Sequence, residues 1–323
     1  MSLGFCRRAR FALAFGLVLG AATTSHAERD APGLPGLQLA GLAPAPGDDA
    51  RTSIALGPAG QVFEPDGAGG WLRKQPITTS DRLSVIGRAG GQIVALGDGV
   101  AFRLAPNGWT AIRIIMKGKV VISAGPRSVA AIGRQLYALD RAAFGEPTKL
   151  ALAPSAVLAI GSGTKGTVIA IDRGLFRVEG SRMTAIKRVP RRVDQLVSDR
   201  WALVSNGAVD LKSGVTTPWP SGLTIATAAS GPNEGLVAVG VTTTGGARRL
   251  ELVTLVGKKL VREPLPDGVT GSAVGVALDS SGRAVIALRD GRLAVRERGA
   301  WNVVSVREAL PASQAGAPPA TSP

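Results

Sequence analysis

Acid–base chemistry on a glycan or similar substrate needs two carboxylates held roughly 5–10 Å apart. Among its 23 acids the chain offers Glu64, Asp81, Asp194, Glu234 and Asp267 as candidates for such work. Their spacing puts no two of them on one element, so convergence is a question for the fold. Nucleophilic and zinc chemistry are more tightly bounded. The only Cys (Cys6) and the only His (His26) both lie in the first 27 residues, a segment that reads as cleaved. Without them there is no triad that needs His or Cys, no Cys/His zinc site and no disulfide. The turn residues Asp98, Asp172 and Asp290 resemble calcium ligands only superficially. One carboxylate per turn, beside Arg173 or Arg289, falls short of the roughly six to eight oxygens calcium takes. Gly161-Ser162-Gly163-Thr164-Lys165-Gly166 lacks the spacing and following helix of a phosphate loop and reads as a hairpin turn. No catalytic, cofactor-binding or metal residue is assigned, no cofactor is expected, and the ligand-binding residues stay unassigned.

Two other groups of side chains invite a binding role. Trp71, Trp109, Trp219 and Trp301 recur at one place in a repeating unit. That regularity favours packing between neighbouring units over an aromatic platform for a sugar. Tyr137, the only tyrosine, sits in the apolar run Leu136–Leu139 and reads as a partly buried structural residue. The basic clusters are Arg113 with Lys117 and Lys119, Lys187-Arg188 with Arg191-Arg192, Arg248-Arg249, and Lys258-Lys259. All fall in expected loops or outer strands. They read first as a scattered solvated surface, and otherwise as a face for an anionic glycan, a phospholipid head-group layer or, last, nucleic acid, with binding to an anionic polymer that salt would weaken.

Arg7, Arg8 and Arg10, then the apolar Phe11–Gly20, then Ser25-His26-Ala27, are the three parts of a secretory signal peptide. The apolar stretch is shorter than the roughly 20 residues a membrane span needs. Cys6 precedes it, on the wrong side for a lipoprotein cleavage site. Arg7-Arg8 matches a twin-arginine pattern only in part, so the general secretory route is the default. Cleavage after Ala27 leaves 296 of the 323 residues and removes three of the 38 basic residues and none of the 23 acidic ones. The mature balance is then 35 − 23 = +12, which favours solubility and loose attraction to anionic surfaces and says nothing about fold. Export implies a periplasmic or extracellular location, with no transmembrane segment once the signal is removed.

The elements that would position these side chains are read from a repeat. Gln92–Leu96, a Gly97-Asp98-Gly99 turn, Val100–Leu104, a Pro106-Asn107-Gly108 turn and a strand from Trp109 form one sentence. It recurs at Thr167–Val189 and Ala284–Val306. The last strand of each copy begins at Trp71, Trp109, about Glu146, Met183, Trp219, Leu260 and Trp301, at steps of 38, 37, 37, 36, 41 and 41. Each copy holds about four short apolar runs bounded by Gly, Pro, Asn and Asp, which are strand signals. No helix is expected after residue 27. Four strands repeating at about 40 residues mark a propeller blade. The expectation is an all-β fold, a seven-bladed β-propeller of four-stranded antiparallel blades. Asp98-Gly99, Arg173-Gly174, Asn206-Gly207 and Asp290-Gly291 should form the tight turns between second and third strands, where positive φ is cheap for Gly and Asn.

Three copies are poorer. In the first, the Phe63–Trp71 spacing makes Gln61–Pro65 a third strand, and Leu37–Leu42 is a candidate first strand. The fifth is short, with Pro218 and Pro220 flanking Trp219, as suits an outer edge. The sixth is long, with a Thr242–Gly246 loop. The chain divides into a signal peptide (1–27), a linker (28–35), the propeller (36–308) and a disordered Pro/Ala-rich tail (309–323).

Val276-Ala277-Leu278-Asp279-Ser280-Ser281-Gly282-Arg283, followed by Asp290-Gly291 and Trp301, resembles the blades of bacterial secreted β-propeller repeat proteins. The likeness is to two-component-regulator, tectonin and sialidase-type repeats in general style. The sialidase Asp-box and the Trp-Asp blade ending are absent, so no family catalytic residue carries over. The resemblance implies an exported, non-catalytic, monomeric propeller that binds a protein or an anionic envelope polymer. A carbohydrate-binding role and a glycan hydrolase or lyase are the alternatives. Nucleic acid is not an expected partner, for want of a recognition motif.

Overall fold

Short apolar runs alternating with Gly-, Asp- and Asn-bearing turns make strands that pair with their immediate neighbours in sequence. The computed structural model describes residues 38–43, 53–65, 71–74, 77, 83–89, 92–97, 101–105, 108–112, 120–122, 129–138, 148–163, 165–187, 189–190, 192–244, 246–305 and 307–308. Within them lie seven sheets, each with four sequential antiparallel strands. Blade 1 is Gly41–Ala43, Ile54–Leu56, Val62–Pro65 and Trp71–Lys74; blade 2 is Leu83–Ala89, Gln92–Gly97, Ala101–Ala105 and Gly108–Ile112. Blade 3 is Val120–Ile122, Val129–Ile132, Gln135–Ala138 and Thr148–Leu152; blade 4 is Val157–Gly163, Gly166–Ile171, Gly174–Glu179 and Arg182–Ile186. Blade 5 is Gln195–Val197, Trp201–Val204, Gly207–Asp210 and Thr216–Pro218. Blade 6 is Leu223–Ser230, Leu236–Thr244, Ala247–Val256 and Lys259–Pro264; blade 7 is Ala273–Leu278, Ala284–Leu288, Arg292–Glu297 and Ala300–Ser305. The expected seven-bladed propeller is the fold observed. A single 3-10 turn, Pro232–Glu234, is the one helical element among the described residues.

The first strand of each blade is innermost. Among the described residues the first strands of blades 1 and 2, and those of blades 3 through 7 in succession, touch their neighbours, and the first strand of blade 7 touches that of blade 1. The oily faces of the sheets are hidden between blades. Ala43, Ile54, Leu56 and Val62 of blade 1 meet Leu83, Ile86, Ile93 and Phe102 of blade 2. Leu42, Ala55, Phe63 and Trp71 meet Val285, Leu293 and Val295 of blade 7 across the closing seam. Each seam removes apolar surface that a lone sheet would leave in water, at about 25 cal/mol per Å². Stacking is therefore the source of stability for sheets that could not stand alone.

The four main strands of every blade are consecutive in sequence, and among the described residues the two chain ends share a sheet only at the outer edge of blade 1. There Arg307 and Glu308, just past blade 7, pair in parallel with Leu72 and Arg73 of blade 1 as a fifth, outer strand. This covers an edge that would otherwise present open backbone groups. The pairing of first and second strands slips by one residue at Leu83/Val85, Val157/Ala159, Ile225/Thr227 and Ala273/Gly275. A bulge at the same place in four blades bends the inner strand and adds local twist.

Strand alternation makes the two faces of the ring unlike. Turns between second and third strands, and the connections between blades, lie on one face, here the entry face. Turns between first and second, and between third and fourth strands, lie on the opposite face.

The structure corrects several sequence expectations. Trp219 lies just past the fourth strand of blade 5, because Pro218 ends that strand. The expected loop at Thr242–Gly246 is mostly strand: the hairpin of blade 6 runs on to a Thr244↔Ala247 pair. Gly291 has the positive φ expected (91°), but neither Asn206 nor Gly207 does. Gly207 is needed for another reason, since a Cβ there would lie 2.5 Å from the Thr217 carbonyl oxygen. Gln61–Pro65 does supply the third strand of blade 1, and Pro218 does fall on an outermost strand. The signal peptide, linker, tail, Asp81, the Asp98-Gly99 turn, and Arg113, Lys117, Lys119, Arg188 and Arg191 lie outside the described residues.

Candidate functional site

The carboxylates do not converge. Glu64 is in the third strand of blade 1. Asp194 is exposed on the entry face, where its backbone N–H donates to the Leu203 carbonyl at 2.9 Å. Asp267 is exposed on the same face, between blades 6 and 7, and lies 3.5 Å from Arg249. Glu234 is on the opposite face, in the 3-10 turn of blade 6. A two-carboxylate mechanism needs its acids at one mouth; among the described four, Asp194 and Asp267 share the entry face but lie in different blade connections, and Glu64 and Glu234 lie elsewhere. The turn aspartates are engaged locally. Asp172 accepts a 2.5 Å bond from Ser155 Oγ, and Asp279 accepts from Ser281 Oγ (2.6 Å) and the Arg283 N–H (2.8 Å).

The four tryptophans singled out in the sequence lie at blade seams. Trp71 is buried between blades 1 and 7. Trp109 packs against the seam of blades 1 and 2, and Trp301 against that of blades 6 and 7. Trp219 packs between blades 5 and 6. The indole N–H of Trp301 donates to Glu263 Oε1 at 2.7 Å, and that of Trp219 donates to the Val204 carbonyl at 3.3 Å. Their faces are core, not platform. Tyr137 is buried in the third strand of blade 3, and burial pushes its phenol above the ordinary value of 10.0.

The most connected polar cluster is one the sequence did not disclose. On the opposite face the first turns of blades 4, 5 and 6 meet around Arg200. Its guanidinium lies 3.6 Å from Asp210 and 3.7 Å from Glu234, and stacks 5.0 Å over the Trp201 ring. The Trp201 side chain is fully buried, and its N–H donates to the Glu234 carbonyl at 2.9 Å. Lys165 of blade 4 donates its backbone N–H to Asp199 Oδ2 (3.1 Å), and its ammonium lies 3.6 Å from Glu234. Ser198, Asn233 and Glu234 all have positive φ, at 55°, 54° and 58°. Such backbone costs of order 1–3 kcal/mol per residue and persists only where its surroundings hold it. Here the Trp201 bond and the ion pairs hold it. Each carboxylate of the cluster faces a cation or an N–H, the buried Arg200 Nε has no hydrogen-bond partner among the described residues, and the cluster clasps three blades together. Only Trp201 was open to detection in advance, as a tryptophan at the start of a second strand, outside the register of the other four.

On the entry face, Arg292 is the corresponding hub. Its guanidinium bonds Asp290 (2.8 and 2.5 Å), and it donates to the carbonyls of Gly268 (3.2 Å) and Thr270 (2.9 Å). This pins the connection from blade 6 to blade 7. Around it are exposed cations. Lys187 and Arg192 lie on the connection entering blade 5, Arg248 and Arg249 at the tip of the blade 6 hairpin, and Arg289 in the turn of blade 7. Lys187, Arg192, Arg248 and Arg289 have no carboxylate within ion-pair distance among the described residues. Lys258-Lys259 sits on the opposite face, in the third turn of blade 6. Two of the basic clusters read in the sequence, Lys187/Arg192 and Arg248-Arg249, are thus brought to one face.

No protein-family model matches the chain, and no curated protein resembles it in sequence. Solved structures do resemble it in shape. A streptogramin B lyase structure is 13% identical with a TM-score of 0.54, over 78% of this chain and 91% of that one. The extracellular domain of a putative one-component system, BT4673 from B. thetaiotaomicron, is 12% identical with a TM-score of 0.53. That match covers 82% of this chain and 39% of the other, so the chain spans about two fifths of that relative. A chain of the mitotic checkpoint complex is 12% identical with a TM-score of 0.54, over 82% and 91%. At such identities the likeness is one of β-propeller fold alone. No described helix is long and apolar enough to cross a membrane.

Proposed function

We propose that the chain is an exported, non-catalytic β-propeller that serves as a monomeric binding scaffold in the bacterial envelope. Its signal peptide is residues 1–27, its linker 28–35, its propeller 36–308 and its tail 309–323. Its partner is a protein or an anionic envelope polymer, met in the periplasm or outside the cell. The observation that carries this reading is the contrast between the acids and the bases. Of the carboxylates weighed for catalysis, the four described ones (Glu64, Asp194, Glu234 and Asp267) sit on different elements and do not share one mouth, and most described acids are engaged by a neighbouring cation or turn N–H. Four cations on the entry face carry no such partner among the described residues. A surface that neutralises its acids and leaves cations open is suited to holding an anionic surface, not to proton transfer. One of the resembling structures is an extracellular domain, which supports export.

The test is affinity capture of the mature chain against envelope fractions, repeated at low and high salt. Retention of a defined partner, without turnover of any glycan in the fraction, is the expected result. Release of shortened glycan would overturn the non-catalytic reading.

A further inference from the structure

We infer that the projecting hairpin of blade 6 is the contact element for a linear polyanion, one bearing carboxylates or phosphates along its length. The inference rests on the scaffold reading and deepens it by naming the partner chemistry and the face. The second and third strands of blade 6 run for 9 and 10 residues, against 3 to 6 in the other blades. Neighbouring strands do not follow them to the tip. Pairing with the first strand stops at Leu223↔Thr242, and pairing with the fourth begins only at Glu251↔Pro264. The Thr243↔Arg248 and Thr244↔Ala247 pairs therefore stand as a two-stranded ribbon beyond the sheet. Such a ribbon is marginal by itself, and its described tip residues (Thr243, Gly246, Ala247, Arg248, Arg249) are exposed. Packing gives no reason for the extension.

The base of the ribbon is held firmly. Glu251, buried, accepts two bonds from Arg262 (2.6 and 2.7 Å) and one from Thr242 Oγ1 (2.9 Å). Bidentate, charge-assisted bonds of this kind fix geometry as well as energy. The tip thus projects the Arg248 guanidinium, which has no carboxylate partner among the described residues, on a braced support beside Arg249, which lies 3.5 Å from Asp267. Arg192 at the entrance of blade 5 and Arg289 in blade 7 are exposed on the same face; exposed cations also occur in the opposite-face turns of blades 4 to 7 (Arg182, Lys212, Lys258, Lys259, Arg298), so it is the projecting ribbon, not cation number, that singles out this face. That arrangement suits an extended, repeatedly charged partner. A lipid surface fits less well, because the described tip holds no apolar side chain larger than Ala247 to enter it. Single-stranded nucleic acid fits less well again, because stacking needs exposed rings and the indoles lie in seams.

The test measures binding of the purified chain to polygalacturonate, to polyphosphate and to mixed phosphatidylcholine/phosphatidylglycerol vesicles, over roughly 50–500 mM salt. Two charge-matched variants are compared: R248Q/R249Q at the tip, and K258Q/K259Q on the opposite face. The tip variant should bind at least one polymer about tenfold more weakly, the scale of two exposed charge contacts, with a shallower salt dependence. The opposite-face variant should change by less than about twofold. Equal losses in both variants, no loss in the tip variant, no polymer binding by the unaltered chain, or preferential binding to vesicles would each overturn the inference. If the polymers fail while envelope capture retains a protein partner, the hairpin inference falls and the scaffold reading stands. If the polymers bind as expected while envelope capture retains nothing, the reverse holds.

Discussion

Gly275 is the position at which the closing of the ring can be tested with a single methyl group. It lies on the innermost strand of blade 7, against the innermost strand of blade 1. A Cβ added there would stand 2.7 Å from the backbone nitrogen of Leu42 and 3.1 Å from its Cα. No change of rotamer relieves an overlap with backbone, so the two inner strands must move apart and loosen the seam that holds Phe63 and Trp71. Overpacking of this kind costs about 1–3 kcal/mol, and a backbone clash belongs at the upper end. Gly→Ala also stabilises by about 0.4–1 kcal/mol through the unfolded chain. The net expectation for Gly275→Ala is a loss of about 2 kcal/mol, or roughly 5 °C in melting temperature for a domain of this size. Gly41→Ala is the intermediate case, because its Cβ would meet only the Ile86 Cγ2 methyl at 3.3 Å. Gly268→Ala is the control, with nothing within 4 Å. Thermal unfolding followed by circular dichroism should rank the three in that order, with Gly268→Ala neutral or slightly stabilised. A Gly275→Ala protein that melts with the control would show that the inner strands of blades 1 and 7 are not in contact, and the closed ring would have to be abandoned.

Two further predictions follow from single buried groups. Tyr137 is the only tyrosine, so phenolate absorbance near 295 nm reads it alone; its midpoint should lie above 10.0 in the folded protein. Because its folded pKa is raised, the stability it contributes is full below about pH 10 and is lost as pH rises through the folded value; Tyr137→Phe should flatten that alkaline decline, and an unchanged decline would refute it. Arg292→Met leaves Asp290 without its cation and the Gly268 and Thr270 carbonyls without their donor. It should cost about 3 kcal/mol in urea unfolding and speed amide exchange across residues 265–272; unaltered exchange there would mean that the guanidinium does not hold the connection.

The repeat unit was legible because it is written locally. Period-two apolar runs and the turns between them are fixed by residues within a few positions of each other. Thus Ile93–Leu96, Val168–Ile171 and Ala284–Leu288 could be read as strands, and seven units counted, with no knowledge of contacts. The proline at 218 marked an outer edge for an equally local reason, the absence of an N–H to share. The long hairpin of blade 6 has the sequence of a loop, since Thr242, Thr243 and Thr244 are followed by glycines and carry no apolar alternation. Asn206-Gly207 was assigned to the right turn but for the wrong cause. Its glycine answers a close approach by another strand, not a positive φ.

What only the tertiary structure decided is which groups from distant copies meet. Leu42 and Gly275 sit near opposite ends of the chain, and nothing in their own neighbourhoods signals the contact. Asp199, Arg200 and Glu234 look like ordinary surface residues of separate turns until three blades bring them around Trp201. The separation of the carboxylates, and the gathering of Lys187, Arg192, Arg248 and Arg289 on the entry face, follow from strand direction and from the angle between sheets. Hydrogen-bonded pairing and turn geometry act over a few residues and leave a mark in sequence. Contacts between blades depend on how whole sheets are turned against one another, and that angle emerges only when the last blade closes on the first.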